Sequence, residues 1–190
     1  MKPRLPSVIT TLDMHPTELS AAVLQGELVP CGLAFLTAGT TDTPIVRAKT
    51  MSVGLSPAAT LERFSAAWVY ACTRELEIPV ALCVSTRQRK RLSYPVPFTS
   101  RQVVLAEKER LLLGGVSVTT PLRTVCDILL VEETWSVRER VTCRLITQRY
   151  LLEFDRIHAA LEAGRHPRRQ RALKRLALMA RASRIGTAQK

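Results

Sequence analysis

Aromatic side chains are scarce in this 190-residue chain, at 5% of the total, so Leu, Val and Ala must fill most of its interior. No apolar run approaches the roughly 18 residues that a membrane-spanning helix needs. The opening MKPRLPSVITTLDMH lacks both the apolar stretch and the small-residue cleavage site of a secretory signal, so a cytoplasmic location and no membrane partner are expected. Paired cysteines are missing too. Cys31, Cys72, Cys83, Cys126 and Cys143 form no C-x-x-C, and each lies among apolar neighbours. That pattern speaks against a disulfide framework or a zinc site and for free thiols used as small core residues. His15, His158 and His166 are too scattered to suggest a metal cluster.

Catalytic patterns are also wanting. A metal-dependent nuclease brings carboxylates together on a cation, usually with a lysine nearby. Here no acid stands two residues before a lysine, and nothing acidic follows Glu162. There is no glycine-rich phosphate loop and no nucleophile elbow. No catalytic residue, metal, cofactor or small-molecule substrate is expected, and the chain reads as a non-enzyme.

What is abundant is positive charge. Lys and Arg number 28 against 16 Asp and Glu, a formal net charge of +12. The excess is concentrated: residues 164–190 hold nine basic side chains and no acid, whereas residues 1–56 are balanced at four of each. A basic terminal segment suits an anionic partner, most often nucleic acid. Arg165, Arg168, Arg169, Arg171, Lys174 and Arg175 are the candidate phosphate contacts, with Arg87, Arg89, Lys90 and Arg91 as a second patch. The alternatives are a solvated tail, or a protein-interaction module docking an acidic partner through the same basic helix. A divergent nuclease is a more distant one.

Periodicity outlines the elements. A short helix is expected over about 17–25, stopped by Gly26, with Leu19, Ala22 and Val23 on one face and one or two strands after it. A second helix is expected from Ser56 through the stripe Leu61, Phe64, Trp68 and Cys72. Strands are expected at 78–85, 96–98, 102–106 and 116–118, making a sheet of three or four. Beyond Pro121 the pattern is helical. A capping box at Ser136–Glu139 opens a helix with Val137, Val141, Leu145 and Ile146 inward. Phe154, Ile157, His158 and Leu161 mark the next, ending at Gly164, and a last one after Pro167 faces inward with Leu173, Leu176, Ala177 and Ala180.

The stretch GGVSVTTPLRTVCDILL (114–130) combines two glycines, an alternating strand, and Thr120-Pro121 at the cap and first turn of an amphipathic helix. Its Arg123 and Asp127, four apart, can pair; a helix-to-sheet clamp is the expected role. Together with ELSAAVLQGELVPCGLAFL near the start and SAAWVYAC (65–72), this stretch resembles the actinobacterial branch of the AbiEi-type antitoxin family over about residues 17–180. Thr119, Thr120, Pro121, Arg123, Thr124 and Asp127 occupy the signature positions and are expected to be structural. The resemblance implies a type IV toxin–antitoxin role in abortive phage defence, countering a nucleotidyltransferase toxin without a stable complex. It also implies transcriptional regulation of the operon through an N-terminal winged helix. Because the N-terminal unit here is short and neutral, DNA contact is expected from the basic C-terminal helix instead.

The expected fold is α+β: a reduced winged-helix-like unit over 1–55, an antitoxin-like sheet with a C-terminal helical bundle over 56–182, and a flexible basic tail over 183–190.

Overall fold

A computed structural model describes residues 6–86 and 94–187. It is α+β, with seven helices and two sheets among the described residues. In the N-terminal unit, β1 (Val8–Ile9), α1 (Pro16–Leu24), β2 (Leu28–Cys31) and β3 (Ala34–Thr37) follow in order, and the strands pair antiparallel as β1-β3-β2. Helix α1 starts at a capping box between His15 and Glu18. It ends just before Gly26, whose φ of +75° suits a residue without Cβ. Ile9, Leu19, Ala22 and Leu28 form the small core of this unit. The β2–β3 turn sits against the rest of the molecule: a Cβ on Gly32 would lie 2.6 Å from the Trp68 ring and from the Thr50 hydroxyl.

Helix α2 (Pro44–Thr50), capped by Thr43, sends Ala48 into the larger core, and Met51 follows it there. The larger sheet is mixed, in the order β6-β5-β4-β8-β7. Its strands are β4 (Ala59–Leu61), β5 (Val80–Ser85), β6 (Phe98–Val103), β7 (Arg110–Leu113) and β8 (Val116–Thr119). Helix α3 (Arg63–Val69) packs on β5, β8 and α4. Helix α4 (Pro121–Val131) is the hub, touching α3, α5 (Val137–Arg149), α6 (Phe154–Ala163) and α7 (Arg169–Thr187). Four of the five cysteines are buried as free thiols.

Several expectations require correction. The sheet has five strands rather than three or four. Residues 59–61 form its central strand, so the helix expected from Ser56 starts only at Arg63. Pairing with β5 and β8 outweighs a helical spacing that Leu61 satisfies equally well as a buried strand residue. One strand, β6, replaces the two short ones expected around it. The unforeseen β7 pairs with β8 through Gly114 and Gly115, whose φ values of +55° and +86° fit a two-residue hairpin turn.

Helix α5 buries Glu139, Thr142, Cys143 and Ile146, and turns Val137, Val141 and Leu145 outward, the reverse of their expected placement. In α6, Ile157 and Leu161 are buried but His158 is exposed. Helix α7 buries Ala172, Arg175, Leu176 and Met179, a face one residue out of step with the expected one. It continues to Thr187, through most of the segment expected to be a flexible tail; 188–190 lie outside the described residues.

Candidate functional site

The signature stretch forms a joint between sheet and helix. Thr120 caps α4 by accepting from the Arg123 amide at 3.3 Å, and Pro121 occupies the first turn. Thr119 and Thr124, both fully buried, share a hydroxyl–hydroxyl bond of 2.8 Å, and the Tyr70 hydroxyl donates to the Thr119 carbonyl at 2.5 Å. The Arg123–Asp127 pair is made at 3.0 Å, and Arg123 also reaches Glu109 at 3.0 Å, tying α4 to the turn before β7.

The clamp extends through residues that carry no signal in the local sequence. Arg101 on β6 holds Asp127 at 2.9 Å and Glu62, which immediately follows β4, at 2.7 Å. Arg63 lies 3.3 Å from Glu62 and 2.8 Å from Glu132 at the end of α4. Burial raises the Glu62 carboxyl above its ordinary 4.5, with Arg101 pulling the other way. Burial would lower the Arg101 pKa, but the Glu62 bond and the Asp127 charge more than reverse it. Both carboxylates at the centre are thus engaged by arginine, the arrangement of a structural ion network. Glu62 and Arg101 lie 39 positions apart; the one faint hint is a lone acid in the apolar run around LERFSAA.

The cationic helix α7 divides in two. Arg175, expected from the charge pattern to contact phosphate, is 5% exposed. Its guanidinium donates to the carbonyls of Leu129 and Glu132 at 2.9 and 2.8 Å, and of Glu133 and Thr134 at 2.9 and 3.1 Å. It also lies 5.0 Å from the Trp135 ring centroid. Arg168 donates to the Val131 carbonyl at 2.9 Å and pairs with Glu133, while Arg171 donates to the Glu132 carbonyl at 3.3 Å.

The last carbonyls of any helix lack intrahelical partners, and its C-terminus attracts cations. Arg168, Arg171 and Arg175 therefore serve as the C-terminal cap of α4. For Arg175 the phosphate role is overturned, while Arg168 and Arg171 give part of their five donors to this cap.

Arg165 and Lys174 are exposed, and Arg169 keeps only a 3.4 Å contact to the Glu162 carbonyl. Arg87, Arg89, Lys90 and Arg91 lie outside the described residues. A further set of cations, not foreseen, projects from α5: Arg138, Arg140, Arg144 and Arg149. Arg138 stacks 3.8 Å from the Phe64 ring centroid and pairs with Glu77. These α5 arginines are legible as a charge excess on one helix, and are overshadowed by the acid-free segment after Glu162.

Among the described residues no three His, Cys, Asp or Glu side chains gather as a metal site would need, and no helix is long and apolar enough to cross a membrane. No model of a known protein family matches the chain, nor does any curated protein.

Proposed function

We propose that the chain is an AbiEi-like antitoxin and DNA-binding regulator of a type IV toxin–antitoxin system, acting by binding rather than catalysis. The observation that carries this reading is the signature stretch itself, each of whose residues has a structural role. Thr120 and Pro121 start α4, Thr119 and Thr124 lock it to β8, and Arg123 and Asp127 join it to the sheet. A motif retained for such a joint supports kinship with proteins that carry the same motif in the same setting. The N-terminal β1-α1-β2-β3 order, with β1 pairing β3, lends support as the strand–helix–hairpin part of a winged helix.

On this reading nucleic acid is met by the foreseen cations that stay outside the α4 cap, Arg165, Arg169 and Lys174, with the 87–91 segment as a second patch. The three contacts around α7 alone contribute about −3 to the log–log salt slope, a fall in affinity of about 40-fold between 50 and 200 mM salt, and the second patch steepens it further.

The antitoxin role is tested by co-expression with a type IV nucleotidyltransferase toxin under separate promoters. Restored growth without copurification of the two proteins is the expected result. Growth arrest unchanged by the chain, across a panel of toxins encoded beside its own gene and near relatives, would refute the role.

A further inference from the structure

Helix α5 presents to solvent a stripe that its own fold does not use. Val137, Val141 and Leu145, spaced i, i+4, i+8, are 63%, 46% and 43% exposed, and Leu178 of α7 beside them is 55% exposed. Trp135 and Met179 close the floor of a groove of about 290 Å³ between the two helices. Arg140 and Arg144 line the same groove. The one acid on α5, Glu139, is buried in the helix's capping box, and the groove is lined by arginines and by no acid. Arg140 spends its Nε on the Ser136 carbonyl, and Arg144 has no hydrogen-bond or ion-pair partner among the described residues.

We infer that the α5–α7 face docks an acidic amphipathic helix of a protein partner. The stripe spans about 12 Å at 1.5 Å per residue, matching two to three turns of a helix laid into the groove by its apolar side. Phosphate recognition gives no role to the Val and Leu stripe between the arginines. A second copy would set Arg140 and Arg144 against their own equivalents with no acid lining either groove, a like-charge contact that costs affinity. An acidic helix satisfies both features, burying the stripe with its leucines and meeting the guanidiniums with its carboxylates. The inference is independent of DNA binding, because Arg165, Arg169 and Lys174 do not line the groove.

The probe is a synthetic helical peptide of about 18 residues with leucines at i, i+3, i+4, i+7 and flanking glutamates, compared with counterparts carrying Gln or Lys for Glu. Fluorescence anisotropy with the full chain at low salt should show the Glu peptide binding at least ten-fold tighter than the Gln peptide. Val141→Asp and Leu178→Asp should each weaken it ten-fold or more. The double exchange Arg140→Glu with Arg144→Glu should transfer the preference to the Lys peptide, which keeps the test decisive if either apolar variant misfolds.

Equal affinity for the Glu and Gln peptides overturns the proposal. So does a concentration-dependent dimer in sedimentation that Val141→Asp dissolves, since the face would then belong to a second copy. Flotation of the wild type, but not of Val141→Asp, with phosphatidylserine vesicles would assign the face to a lipid surface and also overturn it.

Discussion

Lys174 and Arg175 are consecutive, cationic and on one helix, yet Lys174 faces water while Arg175 is buried against four carbonyls. Composition cannot separate them, because a guanidinium is the one cation with enough planar donors to be buried on backbone oxygens. Arg175→Met should therefore lower stability by about 2 kcal/mol in urea unfolding, since it strips charged donors from buried acceptors. Lys174→Ala should leave stability within about 0.5 kcal/mol and weaken DNA binding. Equal effects of the two on binding alone would contradict the division.

Glu62 supplies a second test at this scale. Its pKa is raised by burial, so the folded state holds its proton more tightly than the unfolded chain. Its contribution to stability is then fully present below about 4.5 and is lost as pH rises through the folded value. The stability of the wild type minus that of Glu62→Gln should fall as pH is raised from about 4 towards neutrality. A rising difference would mean that Arg101 outweighs the cost of burial.

At the scale of elements, α4 is held at both ends by side chains whose identities differ in how openly they announce themselves. Its N-terminal cap is local: Thr-Pro ahead of an apolar stripe can be read directly, as can the Ser136–Glu139 box of α5. Thr120→Ala should cost about 1 kcal/mol of unfolding free energy; unchanged melting would refute the cap. The C-terminal cap comes from more than 30 residues away, from α7 and the residue just before it, and no local pattern signals it.

The same distinction explains which elements were legible. Helices α4 and α6 have one clear apolar face each. Helix α5 has two competing stripes, 137/141/145 and 139/142/143/146, and the one containing a charge is buried because Glu139 turns in with the capping box. Strand β4 is three residues long and owes its existence to β5 and β8 on either side. On α7 the buried face contains an arginine, and a reading that keeps charges outside is displaced by one position.

Across the whole molecule, the count of 28 Lys and Arg overstates the cations available to a partner. Arg63, Arg101 and Arg123 neutralise an internal carboxylate network, and Arg168, Arg171 and Arg175 stopper the end of α4. Of the cations foreseen as phosphate contacts, Arg165, Arg169 and Lys174 stay outside this cap, and the α5 arginines lie around an apolar stripe. The proposed partners of the two groups differ, a polyanion for the first and an acidic helix for the second.

The most direct measurement is duplex-DNA affinity as a function of salt for the wild type, for the triple variant Arg165→Ala, Arg169→Ala, Lys174→Ala, and for Arg175→Met at a temperature where it remains folded. The wild-type slope should be steeper than that of the triple variant by about 3, and Arg175→Met should keep the wild-type affinity. A wild-type affinity indifferent to salt, or a triple variant that binds as well as the wild type, would contradict it.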